Sequence, residues 1–261
     1  MEIYDKYKNG DISCLFLSAY RCGSTSLHHY LTQYREVQGA YQKEIIDTPF
    51  VRKIIEAKKE KYINTFDEKI YFSFWNKVNK DTKYIIDGSP SVFFQKMWNY
   101  EQLKETENKL IFVIRSPIKT IFSLLYTEGI PSSNFNLDIN YTAFCKLIKY
   151  NPVYKYHLLY HKMYKDCLEI VKKKDNIHIC FFEDLIENKI KSIIDFLNLV
   201  YNPEIKFEKI DPAKINKNYF KIRKFLKENI NFFFDKIFFD NCEDFYKETG
   251  VDINKKYDLK I

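Results

Sequence analysis

The sequence predicts an α/β protein built on a doubly wound parallel sheet, flanked by helices and continued by a C-terminal helical extension. Three observations carry that expectation. Four short runs, ISCLFLS at 12–18, KYIID at 83–87, KLIFVI at 109–114 and IHICFF at 177–182, are apolar almost without a break, as strands buried on both faces of a parallel sheet are. Helical periodicity lies between and after these runs, and strand alternating with helix is the order that folds into parallel βαβ units. From about residue 203 the strand signals stop, and stretches rich in Lys, Asn and Phe continue with helical spacing.

Taken in order, 12–18 is the first strand. Leu27, Tyr30, Leu31 and Tyr34 then recur at i, i+3, i+4 and i+7, the apolar stripe of an amphipathic helix. A short edge strand follows at Val37, and 83–87 and 109–114 supply the next two strands. Past the latter, Ser116 stands as N-cap with Pro117 at the first helical position, where its missing N–H does no harm. Ile118, Ile121, Phe122 and Leu125 form that helix's stripe. Tyr156, Tyr160, Met163, Cys167 and Ile170 mark a long helix feeding the strand at 177–182, and Ile190, Ile193, Ile194 and Leu197 mark a further one. Gly250 reads as a C-cap. No internal repeat or low-complexity linker interrupts the chain, so 1–261 is expected to be one domain, with an α/β core over 11–200 and the helical extension over 203–261.

A chain of 261 residues, 46% apolar and 18% aromatic, buries roughly three quarters of its unfolded surface, so its core needs neither disulfides nor a structural metal. Disorder of the bulk is excluded. The longest apolar runs fall far short of the ~20 residues of a membrane-spanning helix. The opening MEIYDKYKNGD is charged throughout and has no apolar secretory segment, so a cytoplasmic location is expected. Cys14, Cys22, Cys145, Cys167, Cys180 and Cys242 show no Cys-x-x-Cys spacing and read as buried free thiols. The formal charge of +7 is interleaved with Asp and Glu rather than gathered in a block, and no nucleic-acid partner is expected. Only five of the 42 basic residues are Arg (Arg21, Arg35, Arg52, Arg115, Arg223). In a chain that otherwise uses Lys, an Arg marks a place where a planar two-pronged donor suits phosphate or carboxylate.

Directly after the first strand comes Ser18-Ala19-Tyr20-Arg21-Cys22-Gly23-Ser24-Thr25-Ser26-Leu27, leading into the first amphipathic helix. A strand, a Gly-containing turn and a helix start gather backbone N–H groups around one point, which suits a phosphate. Gly23 lets the backbone approach, Ser24 and Thr25 offer hydroxyls, and Arg21 adds a full charge. The arrangement is P-loop-like but lacks the Gly-Lys-Ser/Thr ending, so the usual γ-phosphate and Mg²⁺ contacts are missing and ATP hydrolysis is disfavoured. By itself the loop is equally open to a plainer reading, with Ser24 or Thr25 serving only as N-cap. Arg115, at the end of the 109–114 strand, and Ser123, eight residues further on, would make a second anion site if the strands are neighbours. Two such sites suit a nucleotide with two separated phosphates.

On these residues the chain resembles the sulfotransferases that use 3′-phosphoadenosine 5′-phosphosulfate (PAPS). Arg21 to Leu27 matches the family's 5′-phosphosulfate loop, and Arg115-Ser116-Pro117 with Ser123 matches its 3′-phosphate motif. Phe182-Glu183-Asp184-Leu185 with Phe196-Leu197-Asn198-Leu199, and Gly88-Ser89-Pro90-Ser91, resemble two further family stretches; together the likeness spans residues 11–200. The resemblance implies that Arg21, Cys22, Gly23, Ser24, Thr25 and Ser26 hold the 5′ end of the cofactor, and that Arg115 and Ser123 hold the 3′-phosphate. A second Arg often stands in the 3′ motif where this chain has Thr120 beside Lys119. Where the family places a basic loop over the cofactor, this chain offers 216–223, with Lys217 and Arg223 as the implied contacts.

Sulfuryl transfer needs positioning, stabilisation of the leaving phosphate and a base for the acceptor's proton. Carbohydrate-sulfating members place a Glu after the second strand, and Glu44, 21 residues beyond Gly23, stands there. Phenol- and steroid-sulfating members use a His; His28 and His29 sit inside the first helix and His157, His161 and His178 far downstream, so none fits that slot. Asp47 and Asp87 are secondary candidates. His157 and His161 lie at i, i+4 but lack a third ligand motif and read as a helix face; no metal is expected. The expected function is thus transfer from PAPS to a hydroxyl or amine of a small-molecule or carbohydrate acceptor, with a carbohydrate or glycolipid favoured and adenosine 3′,5′-bisphosphate (PAP) as product. A kinase-like P-loop phosphotransferase and a non-catalytic nucleotide-binding module are the alternatives.

Overall fold

The structure is a computed structural model that describes residues 2–18, 21–40, 43, 71–75, 78–89, 107–127, 156, 158–208, 234 and 236–259. Five strands lie among them: β1 (Ser13–Ser18), β2 (Val37–Gly39), β3 (Tyr84–Asp87), β4 (Lys109–Ile114) and β5 (Ile177–Phe181). They form one parallel sheet in the order β2-β3-β1-β4-β5, the α/β arrangement the apolar runs require. β1 occupies the centre, with Phe16 level with Asp87 on one side and with Leu110 on the other. Cys14 to Leu17 and Leu110 to Ile114 are closed to solvent, which explains why both runs are apolar at every position. The run at 177–182 behaves differently. β5 is an edge strand, and along it only Cys180 is buried, so the expectation of burial on both faces fails there.

Helices precede and follow the strands. α1 (Glu2–Lys8) and α2 (Ser24–Leu31) come first, α2 burying Leu27, Tyr30 and Leu31. Tyr34 lies past the end of α2 yet is buried, with its hydroxyl 3.0 Å from that of Tyr30. α3 (Pro117–Thr127) begins at Pro117, as the Ser116-Pro117 pair indicates. Among its described side chains Pro117, Thr120, Ile121 and Leu124 are buried, while Ile118 is half-exposed. α4 (Tyr160–Val171) carries Tyr160, Met163, Cys167 and Ile170 on its buried side, and α5 (Phe182–Ile186) and α6 (Lys191–Phe196) follow β5. α7 (Lys236–Thr249) and α8 (Ile253–Tyr257) close the chain, and Gly250, with φ +73°, ends α7 as its C-cap position requires.

The chain divides into two compact units, one of residues 1–114 and 166–210, the other of 115–165 and 211–261. The first holds the sheet. In the second, the start of α4 is fastened to α7: the His161 N–H donates to Asn241 Oδ1 (2.9 Å), His161 Nε2 lies 2.8 Å from Glu248 Oε2, Lys165 Nζ meets the same oxygen at 2.9 Å, and Tyr164 packs edge-on against Phe245. His161 thus serves helix packing. Five of the six cysteines fall among the described residues, and all five are buried free thiols.

The carboxyl end of β3 buries a charge. Asp87 is 2% exposed and accepts hydrogen bonds from Tyr71 Oη (2.8 Å) and from the Ser89 N–H (2.8 Å). Burial raises its pKa even though both bonds and the nearby Lys43 oppose the rise. Asp87 is thus tied into the fold by one hydrogen bond to each of its oxygens. Tyr71→Phe should lower the unfolding free energy by about 1.5–3 kcal/mol, the range for a hydrogen bond to a charged group, measured by urea denaturation.

Candidate functional site

In a parallel sheet every loop that follows a strand emerges at one edge, and ligands gather there. The loop after β1 is described from Arg21 onward. Arg21 (φ +62°) and Gly23 (φ +86°) are both left-handed, a conformation that glycine adopts freely and arginine only under constraint. Gly23 is the N-cap of α2 and no side chain caps the helix. The plainer reading, in which Ser24 or Thr25 merely caps, is therefore not what the chain does. Ser24 and Ser26 are buried, Thr25 is exposed, and Cys22 is buried, so Cys22 offers a ligand its main chain only. The Ser24 and Thr25 N–H groups occupy the first turn, where an α-helix provides no backbone acceptor.

A second reason fixes glycine at 23. A Cβ there would stand 2.1 and 2.4 Å from ring carbons of Phe182, the first residue of α5. Phe182 is buried and floors the loop. Two segments that stood out separately in the sequence therefore meet in space.

The ends of β2 and β3 make a comparable arrangement. A Cβ on Gly39 would lie 3.3 Å from His28 Cε1; one on Gly88 would lie 3.0 Å from His28 Cδ2 and 2.8 Å from Lys43 Cγ. The His28 ring thus fills a slot that two glycines leave open, with Lys43 beside it. Burial, then the charges of Lys43 and His29, lower its pKa to about 4, so the imidazole is neutral at pH 7. Its Nε2 is buried without a hydrogen-bond partner among the described residues. The sequence reading set His28 aside as a helix residue; glycines ending two adjacent strands were the signal that something packs against them.

In the second unit, Arg115 follows β4 directly, half-exposed, with its carbonyl accepting from Tyr160 Oη (3.0 Å). Ser123 is half-exposed on α3. Thr120 is buried. His178 stacks on Phe196 and lies 3.2 Å from Ser192 Oγ, a packing role. Glu44, Asp47, Pro90, Ser91, His157, Lys217 and Arg223 lie outside the described residues, as do Ala19 and Tyr20 of the loop. No described helix is long and apolar enough to cross a membrane.

No protein-family model and no curated protein matches the chain. Among solved structures it is similar to a sulfotransferase from Alicyclobacillus acidocaldarius, with 15% identity, 96% of this chain and 97% of that one covered, and a TM-score of 0.54. It also aligns with mouse sulfotransferase SULT7A1, complexed with PAP, at 15% identity over 98% of this chain and 92% of that one, with a TM-score of 0.45. The first likeness is one of fold.

Two outcomes follow from this geometry. Gly23→Ala should destabilise the protein by more than about 2 kcal/mol, through left-handed strain and the collision with Phe182. Adding Phe182→Leu should cost less than the two single losses summed, a coupling that a double-mutant cycle reads directly. The second concerns pH. The folded-state value of His28 lies below the unfolded 6.5, so its contribution to stability is complete above about pH 6.5 and is lost as pH falls toward 4. Urea titrations at pH 7 and 4.5 should show His28→Gln losing less stability than the parent, by up to about 3 kcal/mol.

Proposed function

We propose that the chain is a sulfotransferase that moves the sulfuryl group of PAPS to a hydroxyl or amine of a carbohydrate or glycolipid acceptor. The observation that carries this reading is the β1–α2 junction: a left-handed Arg-Cys-Gly turn, a helix start with no side-chain cap, and no Lys at the loop's end. An uncapped helix start with an Arg before it fits a phosphate group. The missing Lys argues against a nucleoside triphosphate and hence against the kinase-like alternative. The fold shared with the Alicyclobacillus acidocaldarius sulfotransferase supports the same reading.

PAPS would supply an activated sulfur whose bond to the 5′-phosphate oxygen breaks as the acceptor oxygen or nitrogen attacks. Arg21 and the Ser24 and Thr25 N–H groups would stabilise the charge that builds on the departing phosphate. Glu44 is assigned the acceptor's proton; an ordinary carboxylate is ionised at pH 7 and able to take it. Arg115 and Ser123 are assigned the 3′-phosphate, and Lys217 and Arg223 further cofactor contacts, on their sequence motifs alone.

Thermal-shift titrations with PAP, ADP and Mg²⁺-ATP test the reading. PAP should raise the melting temperature at concentrations where Mg²⁺-ATP does not; the reverse result would assign the loop to a triphosphate. Arg115→Ala should weaken PAP binding by about tenfold or more, the loss of one charge-assisted contact. Glu44→Gln should bind PAP normally and lose about 10²–10⁴-fold in turnover.

A further inference from the structure

β2 is an edge strand, with β3 on one side and no described strand on the other. Its pairing fixes which main-chain groups look outward. The Lys83 and Tyr84 N–H groups donate to the Glu36 carbonyl, and Val37, Gln38 and Gly39 lie level with Tyr84, Ile85 and Ile86. In a parallel pair alternate residues turn both main-chain groups to the neighbour, so Glu36 and Gln38 face β3 while Val37 and Gly39 face away. Two of the four outward groups are already used. The Val37 N–H donates to the Tyr34 carbonyl (3.0 Å), and the Gly39 carbonyl accepts from Gln38 Nε2 (3.1 Å). The Val37 carbonyl and the Gly39 N–H remain, with no hydrogen-bond partner among the described residues.

These two groups flank Gln38 and select a direction. In a parallel pair one residue donates to the carbonyl before the residue it faces and accepts from the N–H after it. A single residue laid opposite Gln38, parallel to β2, therefore satisfies both. An antiparallel neighbour instead exchanges two bonds with one residue, and neither Val37 nor Gly39 keeps both of its groups. A second copy of the chain related by a two-fold axis would bring its own β2 antiparallel, so the edge suits a foreign segment rather than a dimer.

There is room for such a segment. A cleft of about 410 Å³ lies beside β2 in the first unit, bounded by Arg35 and Asn79 at the strand's amino end and by Gly39 and Ala40 at the other. Gln33, Gln38 and Asn79 each spend one amide hydrogen on a main-chain carbonyl and keep a second. A primary amide sets a donor beside an acceptor, as a peptide group does. The Arg35 side chain is 75% exposed, and its 3.7 Å contact with Asp81 is too long for a hydrogen bond. A carboxylate on the arriving segment suits that guanidinium.

We propose that the edge of β2 is a docking site for an extended acidic peptide segment of a partner protein, laid parallel to β2 with one residue opposite Gln38 and a carboxylate upstream at Arg35. The segment adds a strand to the sheet, and main-chain bonds supply its affinity. This holds whatever chemistry the loop after β1 performs.

The test titrates the full chain with acetyl-Glu-Asp-Val-Thr-Val-amide, followed by heteronuclear NMR. The peptide should bind with a Kd of about 1 mM or tighter and slow exchange of the Gly39 N–H by about tenfold. N-methylation of its Thr, which removes the N–H meant for the Val37 carbonyl, should weaken binding about tenfold, and N-methylation of the preceding Val should change it little. Arg35→Ala, at an exposed position, should weaken binding about three- to tenfold, and a Lys-Lys-Val-Thr-Val peptide should bind more weakly than the acidic one. No binding at about 10 mM, Gly39 exchange unaltered by bound peptide, equal tolerance of the two N-methylations, or affinity unaltered in Arg35→Ala would each overturn the proposal. So would sedimentation equilibrium showing a dimer in which the Gly39 N–H is already protected, which would assign the edge to a second copy.

Discussion

The structure depends on the burial of β1. A strand closed on both faces and paired along both edges has its backbone groups taken up by β3, β4 and the residues that lead into them, with Asn108 Oδ1 accepting from the Cys14 N–H, and its buried side chains face the core. Polar chemistry is therefore displaced to where the strands end. Parallel pairing puts those ends on one edge, so Ser18, Gly39, Asp87 and Ile114 all lead into that edge from distant parts of the sequence. The same burial accounts for the apolar runs that made the fold legible, so the feature that reveals the sheet also locates the site.

At that edge, missing atoms do as much as present ones. Gly23 is needed because the Phe182 ring occupies the space of a side chain; a side chain at Gly39 would crowd Thr32 and the His28 ring, and one at Gly88 would crowd Lys43 and the His28 ring. These contacts tie α2 to α5 and to the ends of β2 and β3. The loop after β1 is thus held from beneath by Phe182, which suits the phosphate-binding role proposed for it.

The central strands were plain in the sequence because complete burial leaves a one-letter signature. Partial burial does not. The edge strand β5 carries the same letters as a central strand, because an apolar residue tolerates half-exposure better than a polar one tolerates a closed interior. On α3, Thr120 is buried and Ile118 half-exposed, because burial of a Thr in a helix is settled by its surroundings rather than by its hydropathy. In the site, the candidate loop after β1 was readable as a motif because its residues are consecutive in the sequence. The Phe182 floor and the His28 slot were not, since each joins residues far apart in the chain. The hydrogen bond that Asp87 accepts from Tyr71, 16 residues earlier, has no signature in the sequence either.

Arg21 stands in the left-handed region at φ +62°, held there by the turn it begins. Glycine would sit at that position with less strain, and the folded chain would gain from the exchange. The guanidinium that the proposed transfer requires would be lost in the same step. Selection for durability and selection for turnover thus pull position 21 in opposite directions. On the proposed function, an arginine there gives up some backbone ease in return for a charge beside the departing phosphate.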